Sequence, residues 1–152
     1  MKPCRKQLKI MFFALLLSVP VSGAWAQDHS RSHEPGQVLA LTYVHTHPGM
    51  FNAYINDLKA NWARSLDAQI EAGHVVSYGM YTIIAPREGE PNLVLRVTYP
   101  NWATFDLSPD YWDELMAETF GSEEQAREAG VRRGELRTIG SEVLIQELKF
   151  KD

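Results

Sequence analysis

Cysteine is almost absent from this chain of 152 residues, which contains only Cys4. A chain of this length can bury a hydrophobic core without disulfide bonds, so a disulfide-stapled scaffold is excluded, and there is no cysteine pair for redox chemistry. The sequence also lacks a glycine-rich phosphate-binding loop and the Ser-His-Asp spacing of a hydrolase. No reaction can therefore be assigned from a motif.

Basic residues are scarce beyond the N-terminus. The first 26 residues contain four of the 15 Lys and Arg residues and none of the 19 Asp and Glu residues. The remaining 126 residues carry 11 basic and 19 acidic residues, a formal charge of −8, which argues against nucleic acid as a partner. The overall composition, 45% hydrophobic and 22% charged, is typical of one soluble globular domain.

The N-terminal segment has the organisation of a secretory signal. A basic stretch precedes an apolar stretch at residues 10–19, followed by Pro20 and a small-residue cleavage site that ends at Ala26. An apolar stretch of about ten residues is too short to cross a bilayer about 30 Å thick as a helix. We expect cleavage after Ala26, a periplasmic or secreted location, and no membrane attachment of the mature chain.

The rest of the chain divides into a polar segment and a folded domain. Residues 27–36 are polar and predict a flexible leader, with the domain spanning residues 37–152. A strand is predicted over 38–47, and seven apolar residues at intervals of three and four between 51 and 70 predict a long helix that ends at Gly73. Residues 75–85 and 93–99 predict an antiparallel hairpin.

Capping residues mark the second half of the domain. Asn101 can cap a short turn, Ser108-Pro109 begins a helix that ends near Gly121, and residues 122–125 form a capping box for another helix. Whether that helix continues through Gly130 and Gly134 stays open, because each glycine costs a helix about 1 kcal/mol relative to alanine. A last strand is predicted over 143–150.

The order of these elements is β-α-β-β-α-β. Right-handed crossovers place both helices on one face of a four-stranded antiparallel sheet, which is the α+β ferredoxin-like arrangement. In the first strand Leu39, Leu41 and Tyr43 alternate with apolar neighbours, so both faces of the sheet are apolar. The face without helices must be covered, and we expect a homodimer in which two sheets pack face to face.

Residues 47–54 at a strand-to-helix junction and residues 71–79 at the end of the long helix, together with the order of elements, resemble the dimeric α/β-barrel superfamily. The resemblance covers residues 37–150 and is closest to uncharacterised small exported bacterial members. It implies a ferredoxin-like protomer, a dimeric barrel and often a pocket between sheet and helices. Members include monooxygenases acting on aromatic compounds, polyketide cyclases and haem-handling enzymes. The Asn-Trp-His constellation of the haem-degrading members has no residue-by-residue match here.

His45 and His47 are the first candidates for chemistry. Two residues apart on one strand, they project from one face about 6–7 Å apart, as an acid/base group or a pair of metal ligands would. Alternatively, His47 hydrogen-bonds a backbone group near Pro48 and His45 is a partly buried polar residue. A zinc site needs further ligands, and His74 is the only other histidine of the predicted domain. The sequence therefore predicts neither a metal nor a cofactor.

Polar side chains of the hairpin form a second group of candidates. Tyr78 and Tyr81 fall on opposite faces of the sheet by alternation. Arg96 lies in the middle of an apolar strand, where a guanidinium is costly to bury without a partner. It either pairs with an acid such as Glu147 or holds the carboxylate or phenolate of a ligand.

Tryptophans suggest the kind of ligand. Trp62, Trp102 and Trp112 belong to an aromatic-rich helical layer that is either core or the lining of a cavity for a flat aromatic or apolar molecule.

Two functions remain open. The first is an exported dimeric protein that binds a small apolar or aromatic ligand, if it binds one, through Arg96, Trp62, Tyr81 and Trp102. The alternative is a cofactor-independent enzyme, monooxygenase-like or cyclase-like, with His45, His47 and Tyr78 as catalytic residues. The enzyme requires a cavity of about 300 Å³ or more that the imidazoles reach.

Overall fold

The computed structural model describes residues 31–151. The predicted secretory signal and residues 27–30 lie outside the described residues. Within the described part of the chain, no helix is both long enough and apolar enough to cross a membrane.

Four strands of the described chain form one antiparallel sheet. They are β1 (His33–Thr46), β2 (Ser77–Thr82), β3 (Leu93–Tyr99) and β4 (Arg137–Phe150). The strand order is β2-β3-β1-β4, and every neighbouring pair is antiparallel. This order, with a helical connection after β1 and another after β3, confirms the predicted α+β ferredoxin-like fold.

One long helical segment follows β1. It consists of α1 (Phe51–Asp57), a π-helical turn (Leu58–Trp62) and α2 (Ala63–Glu71), which succeed one another without a break. Gly73 ends the segment with a φ of +79°, a conformation that glycine adopts without a steric penalty. The predicted long helix is confirmed, and the π turn is a local feature that the apolar spacing does not show.

The second helical region begins at the predicted caps. Asn101 accepts a hydrogen bond from the backbone of the 3₁₀ turn Trp102–Asp106, and Ser108 caps α3 (Pro109–Phe120) in the same way. Ser122 caps α4 (Glu123–Gly134) by accepting from the backbone N–H of Gln125. Helix α4 therefore continues through the first glycine in question and ends at the second.

Both long strands start earlier than the sequence predicts. β1 begins at His33 instead of residue 38, because His33 and Pro35 pair with Phe150 and Leu148, so residues 33–36 belong to the sheet and not to a leader. β4 begins at Arg137 instead of residue 143, because residues 137–142 continue the same pairing. Strand β2 is shorter than the predicted 75–85.

The core lies between the helices and one face of the sheet. Val44, Leu93 and Leu95 pack with Tyr54 and Leu58 of the long helical segment. Farther along the same segment, Leu66 packs with Val75 and Val97, and Trp62 contacts both groups. The helix-facing residues of β1 are thus those that alternate with Leu39 and Leu41, and those of β3 include Leu93, Leu95 and Val97.

The opposite side of the sheet is called the open face below. By register it comprises these residues: Leu39, Leu41, Tyr43, Ser77, Gly79, Tyr81, Val94, Arg96, Thr98, Ser141, Val143 and Ile145. In the single chain Val143 is 42% exposed and Ile145 is 44% exposed. The expectation that the second sheet face is apolar therefore holds at the β1 and β4 side, whereas polar side chains surround Arg96 at the β2 and β3 side.

Candidate functional site

A cavity of about 590 Å³ lies between α2 and the helix-facing side of the sheet. We call it the helix-side cavity. Its apolar wall is formed by Trp62 and Leu66 of the helical segment and by Tyr99 of β3, and its floor by Ala40 and Val97. Because Ala40 pairs directly with Val97, two small side chains lie where larger ones would fill the space.

The π-helical turn supplies the tryptophan of this cavity. Trp62 is the last residue of the turn, and its ring meets that of Tyr78 edge to face, with 5.2 Å between centroids. Leu66 follows four residues later, on the same side of the helix, and is buried. The tryptophan is therefore held in place from below by the sheet.

Polar groups gather at the β4 side of the helix-side cavity. The hydroxyl of Thr42 lies 3.5 Å from Oε1 of Glu142, to which it donates across the β1–β4 pair, and Ser65 and Gln69 face them from α2. Burial, and secondarily the charge of Glu142, raises the pKa of Tyr99. A phenol is protonated at neutral pH even with its ordinary pKa of about 10, so the hydroxyl of Tyr99 can donate a hydrogen bond.

A smaller aromatic cavity adjoins the first. It has a volume of about 290 Å³ and shares Gln69 and Tyr99 with the helix-side cavity. Its other lining residues are Thr104, Phe105 and Trp112, and the rings of Tyr99 and Phe105 lie 4.8 Å apart. The two cavities together form an aromatic-lined space along the C-terminal half of the long helical segment.

Two of the predicted site residues lie at or beside this space. Trp62 lines the helix-side cavity. Tyr78 packs against Trp62, but its hydroxyl donates to Oδ1 of Asp67 at 2.9 Å, and this hydrogen bond raises its pKa. Tyr78 and Tyr81 fall on opposite faces of the sheet, as alternation predicts.

The histidines lie elsewhere. His47 has both ring nitrogens in contact with protein: Nδ1 lies 2.9 Å from the carbonyl oxygen of Glu135, and Nε2 lies 3.1 Å from the hydroxyl of Thr138. His45 pairs with Thr138 in the β1–β4 register and packs over Gly140, where an added Cβ would lie 2.7 Å from its Nε2. Neither imidazole lines the helix-side cavity.

His74 also has a protein partner, because its Nε2 lies 2.6 Å from the hydroxyl of Tyr111. Within residues 31–151, no three side chains among His, Cys, Asp and Glu are arranged to hold a metal ion.

Arg96 and Tyr81 occupy the open face, away from the helix-side cavity. Nε of Arg96 donates to the hydroxyl of Tyr81 at 3.1 Å. The expected pairing of Arg96 with Glu147 is wrong, since Glu147 accepts the backbone N–H of Gln37 instead. The physical reason is the register: Arg96 lies opposite Leu41 of β1, and Leu41 pairs on its other side with Val143, four residues before Glu147 on β4.

Trp102, the last of the predicted site residues, lies away from both the helix-side cavity and the open face. It stands on the 3₁₀ turn, is 45% exposed, and packs against Phe105 with 5.7 Å between ring centroids. It lines a separate depression with Gln37 and Lys149. The predicted residues therefore do not form one site in the single chain.

Sequence reasoning missed several residues of the helix-side cavity, notably Leu66, Gln69 and Glu142 as lining groups. Leu66 was recognisable only as part of an apolar helical stripe, and Glu142 lies one residue before the predicted start of the last strand. The spacing of Ser65 and Gln69, four residues apart on one helix, is the signal that could have identified them.

No protein-family model matches the chain, and a search of curated proteins finds no match. Solved structures to which it is similar include a dimeric ferredoxin-like protein from an uncultured marine organism, at 14% identity over 78% of this chain and 99% of the other, with a TM-score of 0.48. A second is a dimeric ferredoxin-like protein of unknown function from Thermobifida fusca, at 11% identity over 75% and 92% of the two chains, with a TM-score of 0.41. By its own strand order and register, the chain has the ferredoxin-like fold.

Proposed function

We propose that this protein binds a small, flat apolar or aromatic molecule in the helix-side cavity and works as a homodimer. The observation that carries the proposal is the cavity itself, whose volume of about 590 Å³ combines an aromatic and aliphatic wall with a few polar groups at one end. Small-molecule sites are usually built in this way, with volumes of about 300–1,000 Å³.

The walls indicate the shape of the ligand. Trp62 and Tyr99 present ring surfaces on the helix and sheet sides, and Leu66 adds an aliphatic contact between them. Flat molecules gain most from such walls, because ring stacking adds to the burial of apolar surface. Gln69 and the protonated phenol of Tyr99 are available to orient a single polar substituent.

The proposal assigns binding and no reaction. An acid/base role would require His45 or His47 to reach the bound molecule, whereas neither lines this cavity and both ring nitrogens of His47 contact protein. Tyr78 is likewise engaged, because its hydroxyl donates to Asp67. A binding role therefore accounts for the described geometry with fewer rearrangements.

The homodimer follows from the open face. Leu39 and Leu41 in its centre and Val143 and Ile145 beside them make up a contiguous apolar area on neighbouring strands. The β4 members of this area are more than two-fifths exposed in the single chain. A second copy, related by a twofold axis, presents the same apolar area and covers it.

We further propose that residues 1–26 direct export and are removed after Ala26, which would deliver the dimer to the periplasm or the medium. The test is the intact mass of the protein recovered from each fraction of its host. A mass corresponding to a chain that begins at Gln27 supports export, and a full-length chain confined to the cytoplasm refutes it.

Ligand binding is tested with 2-naphthol, a flat aromatic probe with one polar substituent, by isothermal titration and by quenching of tryptophan fluorescence. We expect saturable binding to the natural protein. In Ser65→Phe the new ring occupies the helix-side cavity and weakens binding by at least about tenfold, or about 1.4 kcal/mol.

The matched control is Ala60→Phe, which adds the same ring to an exposed position of the same helical segment, outside the cavity lining. Equal affinities of the two variants, or the absence of saturable binding by the natural protein, would refute the proposed site.

A further inference from the structure

Arg96 holds a positive charge on the open face among neutral hydroxyl groups. Its Nε donates to the hydroxyl of Tyr81 at 3.1 Å, and its Nη1 donates to the hydroxyls of Ser77, at 3.2 Å, and of Thr98. These partners come from β2 and β3, so the guanidinium connects side chains of two neighbouring strands. Three contacts use three of its five N–H groups.

No carboxylate neutralises this charge within the described part of the chain. The ion pairs found among residues 31–151 do not include Arg96. Glu147, the acid that alternation on β4 places on the same side of the sheet, accepts the backbone N–H of Gln37 and lies 3.8 Å from Nζ of Lys149. The two N–H groups on Nη2 of Arg96 likewise have no partner among the described residues.

The surroundings of Arg96 become apolar toward β1 and β4. Its register partners across the sheet are Leu41 and then Val143, and Val94 precedes it on the same face of its own strand. In the proposed homodimer this area is covered by the second copy, which removes the guanidinium from water. Burying a charge in this way is costly unless a counter-charge accompanies it.

Twofold symmetry adds a second requirement. An isologous interface contains every residue twice, so two Arg96 guanidinium groups enter the same interface and repel each other. Each of the three hydroxyls, having accepted a hydrogen bond from Arg96, can still donate its own hydrogen. The cluster therefore offers a cation and several hydrogen-bond donors, and it lacks a negatively charged hydrogen-bond acceptor.

We propose that the interface between two copies contains a site for a small oxyanion, held by Arg96 with Ser77, Tyr81 and Thr98. The bound oxyanion, whether an inorganic phosphate or a small carboxylate, supplies the missing negative charge and couples anion binding to dimer formation. This inference depends on the homodimer of the proposed function and is independent of the helix-side cavity.

The experiment measures the dimer dissociation constant by sedimentation velocity, with inorganic phosphate exchanged for chloride at constant ionic strength. For one oxyanion shared by the two copies, linkage predicts that phosphate at ten times its Kd for the site lowers the dimer dissociation constant about tenfold. Benzoate in a parallel series distinguishes a carboxylate from phosphate as the preferred oxyanion.

Two variants separate the anion site from a structural role of the arginine. Arg96→Gln should abolish the phosphate dependence and, without phosphate, should dimerise at least as tightly as the natural protein, because the repulsion is gone. Arg87→Gln removes the same charge from the exposed loop between β2 and β3 and should keep the full dependence. Thermal unfolding of both variants verifies that they fold.

The outcomes are distinguishable. The anion site is overturned, and the homodimer is not, if the dimer dissociation constant does not change with phosphate or benzoate. The same conclusion holds if the dissociation constant of the Arg96→Gln variant still depends on phosphate. An Arg96→Gln variant that folds but dimerises more weakly without phosphate shows that the arginine is itself an attractive contact, which also overturns the inference. A monomer under all conditions overturns both the homodimer and the site between its copies.

Discussion

Replacing Ile145 by alanine should weaken the homodimer while leaving the protomer folded. Ile145 lies on the open face beside Leu39 in the β1–β4 register and is 44% exposed in the single chain. In the proposed dimer the second copy covers this side chain. The substitution removes apolar contact area without introducing a charge or a backbone constraint.

The size of the effect follows from the exposed fraction. Burying a whole isoleucine side chain contributes about 1.5–3 kcal/mol, and the dimer can cover at most the 44% that is exposed, or about 1 kcal/mol. Twofold symmetry doubles this to about 2 kcal/mol per dimer, which corresponds to an increase in the dissociation constant of about 30-fold. Ile145→Asp should have a larger effect, because a carboxylate would be buried without a partner.

Sedimentation equilibrium over a concentration series measures the dissociation constant, and circular dichroism during heating reports the stability of the protomer. Val131→Ala is the control: Val131 is an apolar residue of α4, 67% exposed and outside the open face. An unchanged dissociation constant for Ile145→Ala and for Ile145→Asp would show that the open face is not the interface. An equal weakening by Val131→Ala would show that the effect is not specific to that face.

Three further predictions concern the folded chain. Asp57→Ala should lower the free energy of unfolding by about 3 kcal/mol in urea denaturation, because it leaves the guanidinium of Arg133, now 2.6 Å from Asp57 and largely buried, without its partner; removing Arg133 as well should restore part of the loss. Burial raises the pKa of Tyr54, so the folded chain retains a proton that the unfolded chain releases near pH 10. The free energy of unfolding should therefore fall as the pH rises above about 10, and it should fall less steeply in Tyr54→Phe. Equal pH dependence of the free energy of unfolding in both proteins would contradict this cause. Gly121→Ala should lower the melting temperature by the equivalent of about 1 kcal/mol, because the backbone at Gly121 has a φ of +93°. Gly130→Ala should raise the melting temperature by a similar amount, because Gly130 lies inside α4 with open space around it. Effects of the same sign in the two variants would refute the reasoning.

Local signals predicted most of the elements correctly. The hydroxyls of Ser108 and Ser122 cap the helices that their sequence positions indicate, and Gly73 and Gly121 end the preceding helical segments with positive φ. These features depend on interactions between residues close together in the chain, so the sequence is sufficient to place them. The boundaries of β1 and β4 were not predictable in this way, since their ends are held by pairing with each other across more than 90 residues.

The candidate site shows the same division. Alternation along β3 determines from sequence that Arg96 shares a face with Val94 and not with Leu95, but the partners of Arg96 depend on the register between strands. That register places hydroxyls beside Arg96 and leaves Glu147 to another contact.

The sequence by itself thus determined the order of elements, their caps and the apolar character of the open face at β1, because hydrophobic period and turn chemistry are local properties. Only the tertiary structure decided that Trp62, Gln69, Tyr99 and Glu142 line one cavity, while His45 and Arg96 lie on the opposite side of the sheet and Trp102 lines a separate depression. Side chains distant in sequence meet only when strand register and helix placement bring them together, and a single sequence carries no direct record of those long-range distances.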